Sequence, residues 1–364
     1  MKAHLFLTLL LFCVFVTISI NLKTFMFKNE YHRMKEIFNK YFNKNIGVNS
    51  YDKIFWEKGY NDKIYEKTCF RLSWNQSLYR NTKQYGSTLE GQSKFSILSN
   101  PIKSCNRYIT IWKSCGRMGN QMFQVASVIG IAYQYDMIPV FPNQMLYTYF
   151  NLPNKYDQNY QHVENSTNCL CSKTATFHSC KESWNSTRNV TMQGLLQSWK
   201  YFENAKSIIR TIFRLNHVHN RNAKEFLDKV TTNSFQHICI HVRRGDLLRE
   251  TYKKYSVPDA GFVRRAMDFY LKTFQNVDFI IVSQDKFWCK MNIKNVPISP
   301  FVNAGDDMAL MRLCDHVIVT AGTFGWWGAW LSGGITVYYK GYPGHNLSNR
   351  FNLFDYYPSH WVGL

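Results

Sequence analysis

His241-Val242-Arg243-Arg244-Gly245-Asp246 follows directly on the apolar run His237-Ile238-Cys239-Ile240. A planar guanidinium donates two parallel hydrogen bonds to a phosphate, which an ammonium cannot, so two arginines at the end of an apolar segment suit phosphate binding. Taken alone, the hexapeptide is equally compatible with a solvated charge cluster at a strand end. A second polar cluster, Ser114-Cys115-Gly116-Arg117-Met118-Gly119-Asn120-Gln121, combines two glycines with amide and guanidinium side chains. A glycine turn between a strand and a helix aims backbone N–H groups and a helix N-terminus at an anion or a polar ligand. It is neither a Walker loop nor Gly-X-Gly-X-X-Gly, and glycines that merely make a tight turn would look the same.

The elements that must position these groups are legible as alternating strands and helices. Tyr108 to Trp112 predicts a strand, Met122 to Tyr133 a helix, and Met137 to Phe141 a strand. A polar insert follows from Asn151 to Arg188. Ile238 to Val242 is the next strand, then a helix from Ala260 to Phe274, a strand at Phe279 to Val282, and a short helix from Asp306 to Cys314. His316 to Thr320 is a strand, Thr323 to Leu331 a helix, and Ile335 to Tyr339 the last strand. Repeated units of this kind imply a mostly parallel, doubly wound sheet, in which ligands bind at the carboxyl ends of the strands. His241 to Asp246, Ser283-Gln284-Asp285 and Ala321 to Gly325 each fall just past a strand and could line one crevice. Asp307 could join them, although by itself it reads as a carboxylate favoured by a helix start.

Composition bounds the compartment and the partners. The 364 residues carry a formal charge of +20, from 44 Lys+Arg against 24 Asp+Glu. That favours anionic ligands or membrane surfaces, but with no zinc-finger, aromatic RNP-like or basic-helix pattern it does not indicate nucleic acid. Leu5 to Leu22 is apolar, uncharged and about long enough to span a bilayer, so it is either a signal-anchor or a cleaved signal peptide. Only Lys2 precedes it while Lys23, Lys28, Arg33 and Lys35 follow, the wrong bias for a short cytoplasmic tail. In both cases the remainder is expected in the lumen or outside the cell. Asn-X-Ser/Thr acceptors at Asn75, Asn165, Asn185, Asn189 and Asn346 agree, three of them crowded into one polar stretch expected as an exposed loop. The ten cysteines less Cys13 leave nine, so at least one thiol is free or bridges to another molecule. The expected organisation is a tail (1–4), the apolar segment (5–22), a stalk (23–104), an N-terminal lobe (105–234, with the insert at 151–188) and a C-terminal lobe (235–364).

Three separated blocks together resemble the α-1,2-fucosyltransferase family, the galactoside 2-α-L-fucosyltransferases. They are Gly116-Arg117-Met118-Gly119-Asn120-Gln121-Met122, the His241 to Asp246 hexapeptide, and Asp307-Met308-Ala309-Leu310 continuing through Thr320 to Ala329 and Gly333-Gly334. The resemblance covers Tyr108 to the C-terminus, without the insert. It implies an α/β, GT-B-like fold: two Rossmann-like lobes facing across a cleft, preceded here by the apolar segment and the stalk. It implies an inverting hexosyltransferase that moves L-fucose from GDP-fucose to a glycan hydroxyl, most often the 2-OH of galactose, with no metal or other cofactor. No Asp-X-Asp pair is present to bridge a metal. By resemblance the donor site comprises His241, Arg243, Arg244, Asp307, Thr323 and Phe324, with His241 and Asp307 on the guanosine. Gly116, Arg117, Gly119, Asn120 and Gln121 face fucose or acceptor from the opposing lobe. Arg243 is assigned the leaving β-phosphate, where a fixed cation stabilises the developing charge. Arg244 is expected either to brace the loop or to pair with Asp246; Asp246 and Glu250 are the nearby carboxylates for the acceptor proton, a role left open because an oxocarbenium-like transition state needs little base assistance. Leu247 stands where the family pattern usually has an aromatic residue. The expected address is the Golgi membrane, type II with a luminal catalytic region, or secretion. The competing readings are a fucosyltransferase of another acceptor linkage and a carbohydrate-binding pseudoenzyme, the latter disfavoured by the intact Arg243, Arg244 and Asp246.

Overall fold

The structure is a computed structural model that describes residues 107–141, 145–150, 166–231, 236–249 and 255–364. The apolar Leu5 to Leu22 segment, the stalk, Asn75, Asn165 and Glu250 lie outside the described residues. Among the described residues no helix is long and apolar enough to cross a membrane.

Two parallel sheets organise the chain. The first is built from β1 (Tyr108–Ile111), α1 (Met118–Tyr135), β2 (Ile138–Pro139), β3 (Thr167–Leu170), α2 (Lys181–Asn185) and β4 (Val190–Gln193), with strand order β2-β1-β4-β3. Every pairing in it is parallel. Burial runs almost unbroken along α1 from Met118 to Ala132, because small residues at Gly119, Ala126, Ser127, Gly130 and Ala132 admit close neighbours. At Gly130 a Cβ would come within 2.2 Å of the Tyr201 carbonyl oxygen, so the helix can sit there only with glycine. Asp136, in the left-handed region with φ 51°, ends the helix and donates its N–H to the Ala132 carbonyl.

The connection runs through α3 (Lys206–Ile212) and α4 (His217–Val230), the latter capped by the Asn216 side chain accepting from His219 N. The second sheet comprises β5 (Gln236–Val242), α5 (Ala260–Thr273), β6 (Val277–Ser283), α6 (Lys286–Asn292), α7 (Ala304–Leu313), β7 (His316–Val319), α8 (Gly322–Ser332), β8 (Thr336–Tyr338), α9 (Leu353–Tyr356) and β9 (Val362–Gly363). Its order is β6-β5-β7-β8-β9, again all parallel. Strand β5, paired on both sides, is buried from Ile238 to Val242, which is why it reads as an apolar run rather than an alternation. Side-chain caps fix the helix starts: Asp259 accepts from Phe262 N, Asp285 from Trp288 N and Asn303 from Gly305 N.

Helices α1 and α8 share an aromatic core. Phe123 lies 4.5 Å from Trp326 and 5.1 Å from Trp327 between ring centroids, and Phe202 and Phe213 close on Trp327 at 5.4 and 5.1 Å. The tandem tryptophans of the third sequence block are therefore interior residues. Each indole N–H is satisfied, Trp326 by the Tyr356 carbonyl and Trp327 by the Gly119 carbonyl.

The described part of the polar insert departs from expectation. It supplies β3, an edge strand of the first sheet, and the Cys169–Cys180 disulfide that ties β3 to the start of α2. The expectation of one exposed loop carrying three glycan acceptors is corrected likewise. Asn185 is exposed at the end of α2, but Asn189 stands at the entry to β4 with its side-chain oxygen accepting from Tyr108 N at 2.9 Å, and Thr191 of the same acceptor triplet is buried in the strand. An oligosaccharide on Asn189 would have to leave from Nδ2 of a side chain already pinned to the strand neighbour β1, beside buried Val190 and Thr191. Glycopeptide mass spectrometry of the protein from a secretory host is expected to find Asn185 occupied and Asn189 bare; occupancy of Asn189 at the level of Asn185 would contradict the placement.

Candidate active site

The carboxyl end of β5 is fastened to β7 before the chain turns away. Arg243 N donates to Thr320 Oγ1 at 2.8 Å, and Thr320 Oγ1 donates to the His241 carbonyl at 3.0 Å. The Arg243 guanidinium is then fixed on two sides: Nη1 donates to Gln284 Oε1 at 3.0 Å, just past β6, and Nη2 to Asp246 Oδ2 at 2.9 Å. Gly245, with φ +41°, lets the chain reverse into a short 3-10 turn that brings Asp246 back to the arginine. About a fifth of the Arg243 side chain stays exposed, so the fork is held without being covered.

Arg244, next in sequence, points elsewhere. Its guanidinium carbon sits 4.1 Å from the Trp288 ring centroid, Nε is 3.6 Å from Asp285 Oδ2, and Nη1 donates to the Pro258 carbonyl. Those contacts brace the loop after β5 against α6. The pairing with Asp246 belongs to Arg243 and not to Arg244.

The opposing groups come from the start of α1, which begins a turn earlier than periodicity predicts, so Gly119, Asn120 and Gln121 are helical. Gly116, at φ +77°, makes the bend, and Gln121 Nε2 donates to its carbonyl at 3.1 Å. Gln124 does more of the holding. Its Oε1 accepts from Cys115 N at 3.0 Å while Nε2 donates to the carbonyls of Lys113 and Gly194 at 3.1 and 2.9 Å. Sequence reading missed Gln124 because it sits in the middle of an apolar helix; a buried amide in such a run is the signal that marks it. Arg117 extends into solvent, 73% exposed, and its Nη2 lies 4.0 Å from Asp246 Oδ2. Asp246 thus stands between the guanidinium past β5 and the one at the start of α1.

Helices α1 and α8 meet at their N-terminal ends. Asn120 Oδ1 accepts from Thr323 Oγ1 at 2.9 Å and from Gln197 Nε2 at 3.0 Å. Trp327 Nε1 donates to the Gly119 carbonyl at 3.0 Å, and a Cβ on Gly119 would lie 2.7 Å from the Phe324 nitrogen. Neither N-cap residue, Arg117 or Ala321, offers a capping side chain. Two positive helix ends and two arginines therefore surround one small region, an arrangement that favours an anion.

Two further residues flank this region. His241 is buried at the end of β5, its ring 5.6 Å from the Phe324 ring, and burial together with the Arg243 charge pushes its pKa down to about 3, so it is neutral. Its Nδ1 has no hydrogen-bond partner in the protein and abuts Gly325, where a Cβ would come within 2.3 Å. Asp307, in the first turn of α7, accepts from Ser299 Oγ, and burial raises its pKa to about 6 against the opposing influence of that hydrogen bond and Lys286.

The chain is α/β, with arginines and two helix N-termini gathered at the strand ends. The chain belongs to glycosyl transferase family 11, whose model matches residues 92–364. It is 30% identical over 275 residues to a galactoside 2-alpha-L-fucosyltransferase, SEC1, of Bos taurus, covering 68% of this chain and 72% of that one. It is 29% identical over 283 residues to galactoside alpha-(1,2)-fucosyltransferase 2 of Pongo pygmaeus, covering 70% and 79%. Among solved structures, the fucosyltransferase NodZ from Bradyrhizobium is similar with a TM-score of 0.42 and 12% identity over 61% of this chain and 92% of that one.

The abutment of the two helix ends leaves no room for a side chain at position 119. Gly119→Ala is expected to push α1 from α8 and to destabilise the fold by about 1–3 kcal/mol, since the obstructing atoms are backbone. Thermal denaturation of the variant reads this; an unchanged melting temperature would contradict the contact.

Proposed function

We propose that the protein is an inverting fucosyltransferase that moves L-fucose from GDP-fucose to the 2-hydroxyl of a galactose on a glycan. The observation that carries it is Arg243, pinned by Gln284 and Asp246 at the carboxyl edge of the second sheet with its fork open to the crevice. Family membership and the curated relatives point the same way.

In this reading the pyrophosphate of GDP lies against the ends of α1 and α8, and Arg243 meets the β-phosphate oxygen that leaves C1 of fucose. Negative charge grows there as the C1–O bond breaks, so a guanidinium already oriented by Asp246 stabilises the transition state more than the bound donor. Arg117 adds a second cation from the opposing sheet. The acceptor hydroxyl attacks the opposite face of C1 and inverts it. Because bond breaking builds positive charge on the sugar ring early, the acceptor proton is lost late and needs only a weak base; Asp246, held by Arg243, and Glu250, four residues further along the sequence, are the candidate carboxylates. Neutral His241 and the Asp307 carboxylate recognise the base, with Asp307 accepting N–H groups from guanine. Arg244 supports the loop rather than the ligand. Charge neutralisation by arginines and helix ends makes the reaction independent of a metal. The proposal includes a Golgi address with the catalytic region in the lumen, on the strength of the Leu5 to Leu22 segment and the glycan acceptors.

The test is incubation of the full chain with GDP-fucose and a panel of galactose-terminated glycans in buffer containing EDTA, with product linkage read by NMR. An α-1,2 linkage is expected, and Arg243→Ala, folded by circular dichroism, should lose about 10²–10³ in kcat. Turnover by that variant close to wild type would remove Arg243 from its role.

Asp307 supplies a pH dependence with a defined sign. Its carboxylate accepts hydrogen bonds from the base, and protonation near pH 6 removes that capacity. KM for GDP-fucose should therefore rise as pH falls through about 6, while Asp307→Asn shows a raised KM with little slope. His241, titrating near pH 3, contributes no slope in that window. A wild-type KM that is flat across the weakly acidic range would exclude Asp307 from the donor site.

A further inference from the structure

The carboxyl edge of the first sheet carries a feature that the donor chemistry does not use. Trp112, one residue past β1, is 66% exposed, and Leu170, at the end of β3, is 61% exposed. In the parallel register Ile111 lies opposite Met192, and Leu170 opposite Gln193. Trp112 N donates to the Met192 carbonyl at 2.8 Å, which carries the ladder one residue further and sets Trp112 level with Gln193. Ile111, Met192 and Cys169 are buried in the core. Alternation along each strand therefore sends Trp112, Gln193 and Leu170 to the other face, side by side. They span two strand spacings, about 10 Å. Gln193, in the middle, is half-buried and donates through Nε2 to Asn168 Oδ1 at 3.1 Å. The result is a shelf with an aromatic plane at one end, an aliphatic side chain at the other and amides between.

This shelf is tied to the residues around Arg243 by a chain of hydrogen bonds. Gln124 binds the carbonyls of Lys113 and Gly194, the residues that immediately follow Trp112 and Gln193, and so ties both strand ends to α1. From the same loop after β4, Gln197 reaches Asn120, which in turn holds Thr323. The loop from Trp112 leads within five residues to Arg117 beside Asp246.

We propose that Trp112, Gln193 and Leu170 form an acceptor subsite that binds the sugar units of the glycan beyond the galactose being modified. A pyranose ring presents a face of C–H groups and an edge of hydroxyls. The indole takes the C–H face, as aromatic planes take apolar surface, and the Gln193 and Asn168 amides take the hydroxyl edge. The subsite makes the enzyme selective for an oligosaccharide over a single galactose. It rests on the fucosyltransferase reading, and it adds to that reading a stated substrate class, a neutral glycan chain at least one sugar longer than the reacting residue.

The experiment compares the full chain with Trp112→Ala and Trp112→Phe, using GDP-fucose with a galactose-terminated tetrasaccharide or with methyl β-galactoside. The wild type should prefer the tetrasaccharide in kcat/KM. Trp112→Ala should lose about tenfold of that preference, through KM for the tetrasaccharide, and Trp112→Phe should recover most of it. A preference equal in wild type and Trp112→Ala would overturn the subsite. Saturation-transfer NMR with the tetrasaccharide alone separates this from the reaction. Binding that Trp112→Ala abolishes, in a protein that transfers no fucose, would sustain the shelf and defeat the fucosyltransferase reading. No binding to the wild type would defeat the shelf itself, as would a wild-type surface that captures protein and not glycan.

Discussion

Two helices start within van der Waals contact of each other, and the site is a consequence of that. Bringing the N-termini of α1 and α8 together opposes like partial charges, since each end carries about half a positive unit. The approach is held by features of both helices and of the segment between them: glycine at 119, the Trp327 N–H on its carbonyl, the Asn120–Thr323 hydrogen bond and the aromatic core of Phe123, Phe202, Phe213, Trp326 and Trp327 beneath. Burial of that core supplies the stabilisation that the dipoles oppose. An anion seated between the ends would relieve the repulsion, and Asp246, 4.0 Å from Arg117 at the start of α1, is a carboxylate that the protein itself places there.

Asp246 is consequently the counter-charge of the unliganded crevice. It lies 2.7 Å from Arg243, just past β5, and 4.0 Å from Arg117, at the start of α1. The shorter pair is a fixed orientation device, closed by the Gly245 reversal, while the longer, at an exposed guanidinium, is weak. A phosphate entering the crevice would compete with Asp246 for Arg117 far more readily than for Arg243. Donor binding can thus recruit Arg117 while leaving the Arg243 geometry intact.

Much of this was legible in sequence because the chemistry coincides with punctuation. The apolar run ending at Val242, the glycine turn at Gly116 and the repeated strand–helix alternation each reflect a parallel sheet with its polar groups at strand ends. What was hidden depends on tertiary contact. Periodicity started α1 too late, since Gly119, Asn120 and Gln121 are poor helix signals whose place is set by packing on α8. The insert was read as loop because β3 is a four-residue edge strand with one buried side chain, too short and too polar for an alternation signal. Trp326 and Trp327 are adjacent, and only the structure shows that both indoles are enclosed by aromatic neighbours from α1 and the segment before α4.

The adjacent arginines show why residue type alone could not divide the labour. Past the end of β5 the backbone at Arg244 has φ −135° and ψ −104°, so consecutive side chains leave on different sides. Arg243 meets oxygen acceptors, Gln284 and Asp246, that orient a fork without spending all its donors. Arg244 meets an aromatic face and Asp285, itself the cap of α6, contacts that enclose the charge. A lysine at position 244 could keep the attraction to Asp285 but would lose the planar stack on Trp288. A lysine at 243 could reach Gln284 or Asp246 but could not hold both in one plane while still presenting a donor to a phosphate. Both positions therefore require arginine, and for opposite reasons: one needs the plane for packing, the other needs the fork for a ligand that is not part of the chain.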